Sequence, residues 1–245
     1  MKQSYTFDQS YELKENILKD LNYPLNKESM ILDFGCGEGN TVKTYWDQGY
    51  KNTYGFDIVD RWNPKISREK FIASPEKIKG YENAFDFVFS DQVFEHVMDY
   101  PKAIRQLHAF LKPGGISLHF FPSKYIFIEP HIKVPLATFI QNKAYFRFWA
   151  SLGIRNEFQK NCSIQETVEK NQKFCRENIN YLPTSQIKAL FSEKFEEVRF
   201  VEASYLKYSY GMLGRLPLFI KSLPGMPFLV RNFRTHVIFL KKSSV

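Results

Sequence analysis

The chain has 245 residues, 44% hydrophobic and 24% charged, with a formal net charge of +8. This suits one large α/β domain, or a core carrying one insertion, with enough apolar material for a sizeable interior. No run of about 18 uncharged apolar residues occurs, so no spanning helix is expected. The N-terminus leads into a polar segment rather than an apolar signal region. Cys36, Cys162 and Cys175 are odd in number and lack zinc-type spacing, which points to a reducing, cytosolic setting. The positive charge is concentrated late: residues 199–245 hold eight basic side chains against one acid, Glu202. Such a bias suits nucleic acid, an anionic membrane or an acidic substrate.

In chain order, residues 1–29 read as a helical lead-in, with Tyr11, Leu13, Ile17 and Leu21 near helical spacing and Pro24 ending it. This segment is expected over the mouth of a ligand site on the sheet. Tyr5 and Tyr11 could close it, although packing on the sheet is the preferred reading for both. Met30–Leu32 forms a first strand ending in Asp33, followed by Gly35, Gly37 and Gly39 and a helix from Asn40. Thr53–Phe56 is a second strand ending in Asp57, and Lys70–Ala73 a third. Phe85–Ser90 is a fourth, followed by Asp91, Gln92, Glu95 and His96. A helix from Pro101 to Leu111 precedes a fifth strand, Ile116–Phe121. This alternation implies a doubly wound, mostly parallel sheet.

Residues 124–182 interrupt the alternation and are too long for an ordinary connection, so they read as a mainly helical insertion, or cap, with helices over Leu136–Leu152 and from Ser163. A helix to Phe191, a sixth strand at Glu197–Val201 and a seventh at His236–Leu240 complete the pattern. Residues 208–234 form a second, apolar and basic insertion.

The glycine turn carries the first chemical information. Its G-x-G-x-G spacing fits neither the dinucleotide fingerprint nor the phosphate loop, and Asp33 would repel a phosphate. A cationic ligand with a free amine suits it better. Asp57, ending the next strand, can accept both hydroxyls of a ribose.

Together these features resemble the class I S-adenosylmethionine (SAM) dependent methyltransferases. The resemblance rests on Asp33-x-Gly35-x-Gly37-x-Gly39, Asp57, Phe85-Asp86-x-Val88, Glu95-His96-Val97 and Leu111-Lys112-Pro113-Gly114-Gly115. The last two pieces look like the subgroup of ubiquinone-biosynthesis, small-metabolite and surface-glycan methyltransferases. It implies a seven-stranded Rossmann-like sheet with SAM as cofactor. Asp33, Gly35 and Gly37 would hold the methionine end, Asp57 the ribose, and Ile58 the adenine. Ser74 or Glu76 would stand where relatives read the adenine amine, and Asp91 and Gln92 would lie near the sulfur. Some ubiquinone-type relatives hold a metal with Glu-x-x-Glu-His. Here Gln92 occupies the first position, an amide ligates hard cations poorly, and no metal is expected. Glu95 and His96 are then expected to brace the following helix.

The acceptor side is expected just after the fifth strand, on the carboxyl edge where such sheets bind ligands. Glu129 and His131 stand there two apart around Pro130, as candidate catalytic groups for proton removal. His131 could equally brace the insertion, and His119 and His236, in strands, read as structural. The resemblance implies a small-molecule, glycan or lipid-linked acceptor, with methylation expected on oxygen. A non-catalytic SAM-binding scaffold and an RNA methyltransferase are the alternatives; an NAD oxidoreductase fits the glycine spacing less well. No nucleic acid is expected, because Ser90-Asp91-Gln92-Val93 replaces the motif of base-flipping enzymes. Residues 208–234 carry Arg215, Lys221, Arg231 and Arg234 and no acid. They could dock on an anionic membrane at the inner surface of a cell, but completing the core is the preferred expectation. The sequence leaves the oligomeric state open.

Overall fold

A computed structural model describes residues 6–73 and 78–244. Among them run the strands β1 (Ile31–Phe34), β2 (Thr53–Phe56), β3 (Phe71–Ile72), β4 (Phe85–Asp91), β5 (Leu111–Pro122), β6 (Glu197–Phe200) and β7 (Thr235–Lys241). They form one sheet in the order β3-β2-β1-β4-β5-β7-β6. All pairs from β3 to β5 are parallel, and β7 runs antiparallel to both neighbours. Chain order reverses between β1 and β4, which opens a crevice at their carboxyl ends.

Successive strand residues face opposite sides of the sheet. Phe87, Phe89, Val237 and Phe239 therefore pack on one face with Leu13, Ile17 and Leu18 of helix α1 (Phe7–Asp20) and Tyr45 of α2 (Asn40–Asp47). Val88, Ile238 and Leu240 pack on the other, with Ile104 and Leu107 of α3 (Tyr100–Phe110). Both faces are covered, so the central strands read as nearly continuous apolar runs. Tyr11 packs edge-on against Tyr45 with ring centroids 5.0 Å apart, in agreement with the packing reading. Tyr5 lies outside the described residues.

The segment between β5 and β6 departs from expectation. It holds α4 (Lys143–Ser151) and α5 (Ile164–Glu177), but residues 123–142 are turns and one isolated bridge, Ile128–Pro135. The helix expected from Leu136 starts only at Lys143, because Lys133 and Leu136 both take positive φ and Pro135 lies between them. This segment buries its own small core, including Val134, Phe146, Val168 and Ile179. α6 (Thr184–Ser192) then leads back to the sheet.

Residues 202–233 fold into α7 (Glu202–Tyr208), α8 (Gly211–Gly214), α9 (Leu218–Lys221) and α10 (Met226–Phe233). Pro217, Pro224 and Pro227 keep these helices short. The expectation that this stretch completes the core holds for Leu213 and Val230, which are buried. It fails for most of the rest: Met212, Leu218, Phe219 and Phe228 are 61–70% exposed, and Leu223, Leu229 and Phe233 about half exposed. Helices this short bury little: α8 buries Leu213, α9 buries no side chain, and the eight-residue α10 buries only Val230.

Candidate active site

The crevice opens into a cavity of about 1400 Å3 at the carboxyl edge of the sheet. Its wall includes Gly35 after β1, Asp57 and Ile58 after β2, Asp91 and Gln92 at the end of β4, and His131 beyond β5. Six residues named from sequence thus meet in one space. Asp33 is buried, and neither it nor Gly37 reaches the wall. Ser74 and Glu76 lie outside the described residues.

The glycine turn is shaped by specific neighbours. Asp57 accepts hydrogen bonds from the backbone N–H groups of Gly37 (2.9 Å) and Val59 (2.9 Å), tying the turn to the tip of β2. Each carboxylate oxygen keeps a second acceptor site. A Cβ at Gly35 would strike Val93 at 2.4 Å, and one at Gly39 would strike the Trp62 ring at 2.5 Å. At Gly37, with φ of +52°, a Cβ would meet nothing within 4 Å. The first and third glycines are packed against side chains, the first also lining the cavity, while the second borders open space. Asn40 opens α2, as read from sequence, and Gly39 in a left-handed conformation takes the cap position.

Beneath the cavity lies a charged group that the sequence reading did not single out. Lys14 of α1, only 1% exposed, donates to Asp91 Oδ2 at 2.7 Å and to Ser10 Oγ at 2.6 Å, and lies over the Phe89 and Phe120 rings. Burial, with the nearby Asp91, holds the Asp33 carboxyl well above its usual range, Lys14 opposing and Asp57 adding to the effect. Three acids facing one lysine make this end of the crevice favourable for a cation. Lys14 shares the buried stripe Ser10, Leu13, Ile17 and Leu18, and a lysine on that stripe was the available signal.

At the other end, Glu129 is wholly buried and fully engaged. Its Oε2 accepts from the backbone N–H of His131 (2.8 Å) and Ile132 (2.7 Å). Its Oε1 accepts from the Tyr181 hydroxyl (2.9 Å) and lies 2.7 Å from His131 Nδ1. This corrects the reading of Glu129 as a group that meets the acceptor: it stands behind His131 and positions it. Burial, with the Glu129 charge, raises the Tyr181 hydroxyl pKa and keeps it a donor.

Glu95 and His96 also differ from expectation, since α3 is capped by Asp99, whose Oδ1 accepts from Lys102 N at 2.9 Å. Glu95 is fully buried, and neither carboxylate oxygen has a hydrogen-bond partner among the described residues. Burial pushes its pKa up to about 8. His96 Nδ1 lies 2.6 Å from the Asn178 carbonyl oxygen, and burial lowers its pKa.

Fold, glycine turn and acid-lined crevice together define a class of protein, the SAM-dependent methyltransferases. A family described as a methyltransferase domain matches residues 5–193, and the chain belongs to it. Among curated proteins, it is 28% identical over 113 residues to the mitochondrial arginine-hydroxylase NDUFAF5 of Mus musculus, covering 42% of this chain and 33% of that protein. It is 31% identical over 118 residues to the ubiquinone biosynthesis O-methyltransferase of Pelagibacter ubique, covering 42% of this chain and 48% of that one. The matches thus span a third to a half of those relatives. Among solved structures, the [4+2]-cyclase SpnF superposes with a TM-score of 0.52 at 12% identity, covering 97% of this chain and 80% of that one, which speaks for the fold alone. SAM is the cofactor of this class. The crevice fits it on its own terms: acids at the amine end, Asp57 with free lone pairs at a strand tip, Gly37 beside open space, and Ile58, 85% exposed, at the lip.

Proposed function

We propose that this chain transfers a methyl group from SAM to a hydroxyl oxygen of an amphiphilic, lipid-linked acceptor. The carrying observation is that the cofactor edge (Asp57, Gln92) and the Glu129-backed His131 line one cavity. When bound, SAM supplies a sulfonium methyl group, which passes to the acceptor oxygen while the carbon–sulfur electron pair stays with sulfur. The chain's own task is positioning and water exclusion. Asp57 orients the ribose, Asp91 faces the cationic amino-acid end, and the buried Asp33 lies near Asp91. Glu129 holds His131 with its proton on Nδ1, leaving Nε2 free to take the acceptor's proton.

The amphiphilic character of the acceptor is read from the cavity mouth. Phe127 and Met212, both more than half exposed, line it with Ile128, Phe233 and Arg234. Leu218, Phe219 and Phe228 continue the apolar surface outward. Arg231 is turned inward, with Nε 2.9 Å from Glu202 Oε2, which leaves Arg215, Lys221 and Arg234 as the cations of an acid-free stretch. Such a surface suits docking on the inner, anionic face of a membrane.

Labelled SAM incubated with fractionated lipids, glycans, quinones and RNA tests the reading. Label is expected in the organic-extractable fraction. His131→Ala should slow transfer roughly a hundredfold with SAM affinity unchanged. Label confined to water-soluble or RNA fractions, or full turnover in His131→Ala, would contradict it.

A further inference from the structure

The acceptor end of the cavity carries a ligand set that no single stretch of sequence contains. Glu95 and His96 come from the turn after β4, and His131 from the loop after β5. One ligating atom from each of the three lies within 4.8 Å of the others. Glu95 Oε1 is 3.9 Å from His96 Nε2, and the His96 and His131 rings meet edge-on with centroids 4.8 Å apart.

Each imidazole is held through its Nδ1 by an acceptor, and His96 Nε2 is the nitrogen nearest Glu95. His96 Nδ1 lies against the Asn178 carbonyl, which can only accept, so that nitrogen carries the proton and Nε2 keeps its lone pair. His131 Nδ1 lies against Glu129 Oε1 with the same consequence, and Tyr181 fixes that oxygen from the far side. Histidines held by a carboxylate or carbonyl on the second nitrogen are the ordinary arrangement of metal ligands. Glu95 supplies an independent sign. Its side chain is fully buried, and both carboxylate oxygens lack a hydrogen-bond partner among the described residues. A carboxyl so placed either keeps its proton or takes a countercharge, and a cation at this triangle would supply one.

We propose that Glu95, His96 and His131 bind a divalent transition-metal cation. Two imidazoles and one carboxylate favour Zn2+, Fe2+ or Mn2+ over the oxygen-seeking Mg2+ and Ca2+. Binding rests on the three side chains alone, whereas its role rests on the methyl-transfer reading. With three protein ligands, a cation held there would leave room for the acceptor hydroxyl and would supply Lewis acidity that lowers its pKa. His131 would then assist proton loss through the metal rather than by taking the proton itself. The spacing Gln92 to His96 looks like an incomplete ligand set in sequence because the third ligand stands 35 residues beyond His96.

Calorimetric titration of the tag-free, chelator-treated chain with Zn2+ and Mn2+ tests this, with SAM affinity measured in parallel. About one equivalent should bind, and His96→Ala and His131→Ala should each weaken it roughly tenfold or more with SAM affinity retained. Co2+ should give visible absorption bands that disappear in His96→Ala. Glu95→Gln should act likewise, and if that buried substitution fails to fold, the partly exposed His96 carries the test. Absence of stoichiometric binding, or binding unchanged in both histidine variants, overturns the site. Slow His131→Ala turnover in a chain that binds no metal would leave His131 as a free base and overturn the metal alone. Metal binding without methyl transfer would uphold the site and overturn the function.

Discussion

At the scale of single residues, the three glycines of the turn separate packing from binding. Alanine at Gly39 would press on the Trp62 ring at a φ of +78°, so Gly39→Ala should lower the melting temperature sharply. Gly37→Ala meets open space and bears only left-handed strain, about 1 kcal/mol. It should fold with a small loss of stability yet weaken SAM binding. Equal effects of both variants on both measurements would contradict this division. The spacing of these glycines was legible in sequence; which one faces open space was not, because Trp62 and Val93 arrive from elsewhere in the chain.

The buried strand histidines give a pH dependence with a definite sign. Burial, with Arg231 nearby, pushes the His236 pKa down to about 3, and burial pushes His119 down to about 3. In the unfolded chain both take a proton below about pH 6.5. Between those values the unfolded state binds more protons, so stability falls as the pH drops from about 6.5 toward 3. Both His236 ring nitrogens lack partners among the described residues. His236→Leu should therefore flatten the fall in melting temperature between pH 7 and 5 without loss at neutral pH. An unchanged slope would remove His236 from the account.

At the scale of elements, α1 is fastened to the sheet through the Lys14–Asp91 pair. Lys14→Met would leave Asp91 facing Asp33 without the lysine between them. Breaking a buried pair costs about 3 kcal/mol, or a fall of roughly 6–12 °C in a chain of this size. Asp91→Asn in the same background should recover part of it; thermal melts check both. The strands from β1 to β5 were legible because each is an apolar run closed by a glycine, proline or acid. The turns of residues 123–142 were not, because they are held by tertiary partners: Glu129 holds two backbone N–H groups, and Asn180 N donates to Glu95 O at 2.7 Å, tying the insertion to the β4 turn.

At the scale of the whole molecule, composition told of an apolar, basic stretch at 208–234 but not which way it faces. Burial depends on whether neighbouring elements leave room, and here Tyr205 and Leu206 of α7 already pack with Val237 and Phe239 of β7. If the exposed surface docks on lipid, each cation contributes about 1 kcal/mol. Co-sedimentation should then occur with anionic but not neutral vesicles, and disappear at high salt and in an Arg215→Glu/Lys221→Glu variant. Equal binding to neutral vesicles, or none at low salt, would contradict docking.

The central claim is that the crevice between β1 and β4 holds SAM with Asp57 on its ribose. Calorimetry of SAM with the folded wild-type chain and Asp57→Ala tests it most directly. Loss of a charge-assisted hydrogen bond costs about 1.5–3 kcal/mol, so affinity should fall roughly ten- to a hundredfold. Unchanged SAM affinity in Asp57→Ala, or tighter binding of NAD than of SAM by the wild type, would contradict the account.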